Sequence, residues 1–329
     1  MIRWGIIGCG DVCEIKSGPA FYKCKDSALV AVMRRNAEKA KAFAINHHVP
    51  KYYSNVDDLI NDRDVDAVYI ATPPESHAEL TIRALQAGKP VYVEKPMALN
   101  YDECLRMIET AETCNQKLFV AYYRRSLAYF LKVKELIDSG IIGKIQVVKG
   151  EFFRSPLLSD KNVSTHTWRI KKEIAGGGYF YDMASHTIDI LMFLLGKITK
   201  ANGITGNTGG FYEVEDTVSV SFLFETGIIG SAVWCYASSQ IQEKDSIEII
   251  GEKGSVSFAS FAFSDIELRL ENKKVETFNF PKPQHIQMDM IQSVVDELDG
   301  KGVCPSTGET GALTNRVIDL IYQTSLSSF

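Results

Sequence analysis

Little in this sequence takes it outside the ordinary globular class. No window approaches the ~18 consecutive apolar residues of a membrane span; the nearest, residues 188–195, is short and carries Asp189. Basic charge is not in excess, since 36 Lys and Arg stand against 41 Asp and Glu for a net charge of −5. That balance argues against a nucleic-acid-binding role, which needs a basic face. The seven cysteines are an odd number without a CxxC pair, as expected of reduced thiols packed as small apolar residues in a cytoplasmic protein. HExxH, zinc-type cysteine spacing and GxSxG are all missing, so metallohydrolase and serine-hydrolase readings lack support. His47 and His48 are adjacent and point different ways on a helix, so they make a poor metal pair and no metal is expected. The N-terminus lacks the form of a signal peptide, because Ile6-Ile7 opens at once into Gly8-Cys9-Gly10.

What remains is 329 residues, 45% hydrophobic and 23% charged, enough for about two domains. In the first part, apolar strands alternate with helices. Residues 4–7, 28–33, 65–71, 91–93 and 118–122 read as strands, and 38–46, 75–87 and 101–114 as helices. Such alternation predicts a right-handed, doubly wound parallel sheet. Val91-Tyr92-Val93 runs straight into Glu94-Lys95-Pro96, a buried strand delivering an acid and a base to its carboxyl end. Ligands bind at that end of open α/β sheets; the alternative is a solvated loop lysine paired with Glu94.

The first strand leads into Gly8-Cys9-Gly10-Asp11-Val12-Cys13, a GxGxx loop with Cys13 where a third glycine would stand. The first glycine allows the tight turn and the second admits a pyrophosphate to the backbone. The third position needs only a small side chain. The second strand ends in Arg34-Arg35-Asn36, where an NAD site would place an acid for the ribose 2′-hydroxyl. A guanidinium matches a 2′-phosphate and stacks on adenine, so NADP is the expected cofactor ahead of NAD. Surface arginines and an indifferent site are the alternative.

The strand–GxGxx start, Thr72-Pro73-Pro74-Glu75-Ser76-His77, Gly88-Lys89-Pro90-Val91 and Glu94-Lys95-Pro96 together resemble the glucose–fructose oxidoreductase / inositol dehydrogenase / rhizopine catabolism (Gfo/Idh/MocA) family. The resemblance covers almost the whole chain. It implies a Rossmann domain over residues 1–122 that holds the cofactor through the glycine loop, Arg34 and Arg35, Thr72 and Pro73, and Glu94 and Lys95. His77 is counted with them as a structural member of its turn rather than a catalyst. Residues 123–329 are then an α+β domain for substrate binding and oligomerisation.

In that second part, residues 145–153, 217–224, 228–237, 246–250, 255–258, 266–270 and 275–280 read as strands joined by hairpin-sized turns. They predict a large, mostly antiparallel open sheet with helices on one face, closed by helices at 288–298 and 309–323. Val218, Val220, Phe222 and Phe224 share one face, and Thr217, Ser219, Ser221 and Leu223 the other. The uncharged second face suits a homodimer or homotetramer assembled through this sheet. Gly176-Gly177-Gly178 precedes a helix from residue 181 that places Asp182, His186 and Asp189 on one face at i, i+4 and i+7. This is similar to the family's second signature, an Asp and a His four apart beside the nicotinamide.

The resemblance therefore implies Lys95, Asp182 and His186 as the catalytic set, with Asp189 orienting the histidine or capping a local network. Tyr123, Arg124, Trp168 and Arg169 fall where the family places groups facing the substrate, although surface salt bridges and a core anchor explain the same residue types. The implied reaction is hydride transfer between a nicotinamide and a carbinol or carbonyl carbon of a sugar, keto-sugar or cyclitol. A 1,5-anhydro-ketose is one case, because Arg3-Trp4-Gly5 and the His186 helix are similar to members with that activity. Two other classes stand beside it. A glycosidase with tightly held NAD would keep its cofactor through gel filtration and hydrolyse without net NAD(P)H. A non-catalytic nucleotide-binding regulator has no need of the Lys–Asp–His set.

Overall fold

A computed structural model describes residues 1–326 of the chain. Each apolar run of the first part is long enough for one strand. The amphipathic helix after it must bury its stripe on the sheet, and the product is six parallel strands: β1 (Ile2–Ile7), β2 (Ser27–Met33), β3 (Lys51–Tyr53), β4 (Ala67–Ile70), β5 (Val91–Val93) and β6 (Leu118–Val120). Their order is β3-β2-β1-β4-β5-β6, the doubly wound arrangement. Side-chain alternation divides the core between the two faces. Val91 and Val93 join one cluster with Val68 and Ile70, while Tyr92 joins the other with Trp4, Ile6 and Tyr69. β3 and the short helix after it (Val56–Ile60) were not legible, because Lys51-Tyr52-Tyr53 is only half-buried and has no apolar run.

The chain divides into two compact units, and the division differs from a single boundary at 122/123. The first unit is Met1–Leu127 together with Pro283–Ala312; the second is Ala128–Lys282 together with the chain from Leu313 onward. The helix Met288–Leu298, expected to close the second domain, belongs to the first. Its Met290, Ile291, Val294 and Val295 are buried in the same cluster as Trp4, Cys9 and Phe21.

The second unit is built on eight strands: β7 (Ile145–Phe153), β8 (Ile198–Gly206), β9 (Thr217–Phe224), β10 (Ile229–Cys235), β11 (Lys244–Gly251), β12 (Gly254–Phe258), β13 (Ile266–Leu270) and β14 (Glu276–Phe278). They run in the order β14-β13-β12-β11-β7-β10-β9-β8, antiparallel throughout except β7 with β10. The helix Ala128–Asp138 lays Tyr129 and Phe130 on the inner face. The Tyr129 hydroxyl accepts from the Ala259 N–H at 2.8 Å, and Phe130 meets Phe258 edge to face. Strand β8 was missed, since Lys200, Asn202 and Gly203 interrupt its pattern. It is an edge strand, and the helix Gly308–Leu326 covers it: Gly203 N–H donates to Thr324 Oγ1 and Thr205 N–H to Ser325 Oγ, both at 3.0 Å.

Val218, Val220, Phe222 and Phe224 are buried on the inner face, and Ser219 and Ser221 are exposed on the outer. The outer face is not free of charge, however. Lys149 and Glu151 on β7 pair across to Glu248 and Lys244 on β11, at 2.8 and 2.5 Å. Among the described residues, no helix is long and apolar enough to cross a membrane.

Candidate functional site

The first unit assembles its candidate residues at the carboxyl ends of β1, β2, β4 and β5. Gly8 has φ +86°, and a Cβ there would lie 2.7 Å from Thr72 Cγ2, so the loop after β1 touches the end of β4 only because this residue is glycine. Gly8 and Cys9 N–H groups donate to Met33 O at 2.9 and 3.3 Å, fastening the loop to the end of β2. A Cβ on Gly10 would meet nothing nearer than Gly8 O at 3.8 Å, so that side of the loop is open, as close approach by a pyrophosphate requires. Cys13 is fully buried with Gly18 packed on its carbonyl, the close contact that a small residue permits. Burial pushes the Cys9 thiol up to about 11 and that of Cys13 further, so both stay protonated near neutral pH. Asp11 and Val12 open the short helix Asp11–Ile15 after the loop.

At the end of β2, Arg34 is half-buried and reaches back to Cys9 O at 3.5 Å, while Arg35 is exposed. Asn36 does not join them. Its side chain accepts from Lys39 N–H at 2.9 Å and caps the helix Ala37–Asn46.

His77 is fully buried and lies between two loops, Nε2 at 2.8 Å from Thr72 O and Nδ1 at 2.9 Å from Pro96 O. It braces the turn after β4, with Thr72 and Pro73, against the turn after β5, where the Lys95–Pro96 peptide is cis. Glu94 is buried, and its carboxylate collects three donors: the Tyr69 hydroxyl and Gln287 Nε2 at 2.6 Å each, and the Lys95 N–H at 3.1 Å. Tyr92 in turn donates to Gln287 Oε1 at 3.1 Å. Lys95 therefore leaves a strand end whose preceding residue is fixed on both carboxylate oxygens. Gln287 carries no local signal in the sequence, since its partner lies 193 residues away. Tyr123 and Arg124 follow on the turn Tyr123–Ser126, with the Arg124 guanidinium carbon 5.1 Å from the Tyr123 ring centre and Arg124 itself buried. Arg125 is structural: Nη1 donates to Pro305 O and Thr310 Oγ1 at 2.7 and 2.8 Å.

The second unit brings together Trp168, Arg169 and Asp182. Arg169 Nε lies 3.3 Å from Asp182 Oδ2, and its guanidinium stacks 4.5 Å from the Trp168 ring centre. Asp182 does not sit on a regular α-helix. Phe180–Ala184 is a π-helical turn, and the α-helix begins only at Ser185–Leu195. The spacing of Asp182 and His186 thus includes a wider turn than the i, i+4 expectation, a deformation that clusters at functional sites. The glycines before it pack on protein rather than leaving room for a ligand. The Gly178 N–H donates to Glu215 Oε1 at 2.9 Å, which also accepts from Tyr322 at 2.6 Å. His186 is buried, its ring edge-on to Phe261 at 5.9 Å. Asp189 is fully buried and takes a bond from Thr314 Oγ1 at 3.5 Å, on the side of the C-terminal helix. Sequence reasoning passed over Arg154, whose guanidinium lies over Tyr179 and Tyr236 and reaches Met183, next to Asp182 in the chain; its position at the end of β7 is the signal that would have marked it. Among the described residues, no group of three or more His, Cys, Asp and Glu is arranged to hold a metal.

Two family models match the chain. Residues 2–122 match the model of the oxidoreductase family with an NAD-binding Rossmann fold (GFO_IDH_MocA), and residues 130–257 match the GFO/IDH/MocA C-terminal domain. The chain is 39% identical over 326 residues to oxidoreductase P35 of Formosa agariphila, covering 98% of this chain and 99% of that one. It is 27% identical over 315 residues to the 1,5-anhydro-D-fructose reductase of Ensifer adhaerens, covering 94% and 92%. The WlbA dehydrogenase from Bordetella pertussis, solved with NADH and UDP-GlcNAcA, superposes with a TM-score of 0.86 at 26% identity over 100% of this chain and 96% of that one.

Burial holds the pKa of His77 below its ordinary value, and the carbonyls of Thr72 and Pro96 oppose the shift without cancelling it. The unfolded chain therefore takes up this proton first as pH falls. The contribution is level above the unfolded pKa of ~6.5 and is lost as pH drops through it towards the folded value, by at most ~1.4 kcal/mol per pH unit. His77→Gln removes this slope. In urea unfolding at about pH 7.5 and pH 5.5, the wild type is expected to lose more stability than the variant. Equal losses would show that the imidazole is not neutral in the fold.

Proposed function

The chain belongs to the Gfo/Idh/MocA family of NAD-binding oxidoreductases, and from that premise we propose that it transfers a hydride between a nicotinamide dinucleotide and a carbinol or carbonyl carbon of a sugar, keto-sugar or cyclitol. The observation that carries this reading is Lys95 at the carboxyl end of β5, on the same sheet edge as the glycine loop, behind a buried carboxylate held by three donors. A relative named for 1,5-anhydro-D-fructose and a neighbour solved with a nucleotide sugar support a carbohydrate-like substrate.

The cofactor, when bound, supplies or receives the hydride. The open side of Gly10 and the Gly8–Thr72 contact suit its pyrophosphate. Lys95 polarises the substrate oxygen and stabilises the developing alkoxide. His186 is the acid/base of the set that the family resemblance implies. Asp182, already paired with Arg169, holds a neighbouring hydroxyl, with Trp168 against the sugar face. The seven cysteines are all free, which supports a cytoplasmic setting.

Lys95→Ala and His186→Ala are each expected to leave the fold and cofactor binding in place and to lower kcat by ~10²–10⁴. Steady-state assays at 340 nm on a panel of keto-sugars and polyols measure this. Near-normal turnover of either variant removes that residue from the catalytic set.

The cofactor is NADP ahead of NAD. We assign Arg34 to the 2′-phosphate and Arg35 to the adenine face; the contact of Arg34 Nη1 with Cys9 O at 3.5 Å, on the glycine loop, supports the first. Charge-assisted bonds of about 1.5–3 kcal/mol give a ten-fold or larger preference, and Arg34→Asp shifts it towards NAD. Equal kcat/KM for the two cofactors in the wild type ends this assignment.

The outer face of the second sheet joins two or four copies. Ile204 and Ile229 stand on it with 64% and 61% exposure, among Ser219, Ser221 and Ser231. Light scattering at micromolar concentration is expected to give a multiple of 36.7 kDa. A monomer alone would refute it.

A further inference from the structure

Beside Asp182 the second unit carries a cation that the proposed chemistry does not use. Arg154 lies at the end of β7, half-buried, with its guanidinium carbon 4.3 Å from the Tyr179 ring centre and 5.3 Å from that of Tyr236. Its Nε and Nη2 are inaccessible and without a hydrogen-bond partner among the described residues. Nη1 has the thioether of Met183 at 3.6 Å, a weak acceptor. That contact places one edge of the guanidinium beside the turn that carries Asp182.

A guanidinium stays charged at any working pH, and a largely buried cation is costly without an anion. The nearby carboxylates are engaged elsewhere. Asp160 accepts from the Tyr179 hydroxyl and the Leu157 N–H at 2.7 and 2.8 Å, Asp182 pairs with Arg169, and Glu243 accepts from the Ser155 N–H at 3.1 Å. The hydroxyls of Tyr212, Tyr236 and Ser238 are also buried, with no hydrogen-bond partner among the described residues. A line of rings joins this corner to the histidine. Tyr236 meets Phe152 at 5.8 Å, Phe152 meets Phe261 at 5.0 Å, and Phe261 meets His186 at 5.9 Å.

We propose that Arg154 is the anion anchor of the substrate site and that the substrate is an acidic sugar or polyol, a uronate or aldonate, whose carboxylate pairs with the guanidinium charge. This rests on the hydride-transfer reading for the rest of the substrate. A carboxylate fits better than a phosphate, because Asp160, Asp182 and Glu243 stand nearby and a dianion meets about twice the repulsion from them that a monoanion does. The planar fork matches a planar carboxylate, and Tyr179 and Tyr236 hold the fork flat.

The test uses matched pairs: D-glucuronate with D-glucose, D-galacturonate with D-galactose, and D-gluconate with sorbitol, plus glucose 6-phosphate. Turnover is followed at 340 nm with NAD and NADP. Binding of the same compounds to the cofactor-loaded enzyme is followed by calorimetry at constant ionic strength. Wild type is expected to favour the acids about ten-fold or more, in kcat/KM or in affinity, with the preference lost in Arg154→Gln and partly kept in Arg154→Lys. Thermal unfolding checks that the variants fold, and partial retention in the lysine variant separates lost charge from lost packing. Turnover of the neutral members or of the phosphate as well as or better than the acids overturns the inference and leaves the hydride-transfer reading standing. So does an acid preference that survives Arg154→Gln. Arg154-dependent binding of the acids with no turnover by any compound supports the anchor and counts against the hydride-transfer reading. Failure of every acid to bind or react overturns the anchor.

Discussion

A carboxylate taken out of water must be answered by donors, and Glu94 is the place where that requirement organises the first unit. Its partners are the adjacent Lys95 N–H, directly after β5, and two distant side chains, Tyr69 on β4 and Gln287. Losing one donor would leave part of a buried charge unanswered, a penalty of about 1–3 kcal/mol or more. The demand fixes geometry as well as energy. With both oxygens engaged, the backbone leaving β5 has one direction, and Lys95 is delivered along it. His77 ties the following proline to the turn after β4, so two strand ends that carry candidate residues are braced to each other.

The same requirement accounts for the excursion of Pro283–Ala312 back to the first unit. Gln287 is polar and buried, and by itself would not hold a segment in place. The helix that follows it buries Met290, Ile291, Val294 and Val295 against Trp4 and Phe21, which supplies the apolar driving force. The amide then sits where the carboxylate needs it. Apolar burial docks the segment, and the hydrogen bonds to Glu94 select its register.

How much of this was legible in the sequence depends on the range of the interaction. Val91-Tyr92-Val93 was readable because a strand buried on both faces is continuously apolar, and Gly8-Cys9-Gly10 because a tight turn restricts residue type. The return of Pro283–Ala312 to the first unit was not, since a boundary read along the chain takes no account of a helix that comes back more than 150 residues later. β8 was hidden for a related reason. Gly203 weakens the strand pattern, yet a side chain there would collide with Ile321 of the C-terminal helix. The π-turn at Phe180–Ala184 escaped because a period of 3.6 was imposed on it, and its cause lies in tertiary contacts: Glu215 holding Gly178, and Asn315 donating to Tyr181 at 2.8 Å. Arg154 was overlooked because an arginine after a strand looks solvated until the rings around it are known.

Glu94 and Arg154 then differ in how their charge is met. In the first unit, Glu94 is satisfied within the protein, so its network is complete before any ligand arrives and serves to position. In the second, Asp182 has Arg169, but Arg154 and the hydroxyls around it hold unused capacity. A protein interior tolerates a satisfied polar network for rigidity, whereas unsatisfied donors lower stability without structural gain unless something outside the chain uses them. Completeness on one side and deficit on the other assign different work to the two. The strand end at Glu94 is held by the protein's own groups, whereas the corner at Arg154 carries the donors on which the anion-anchor proposal rests.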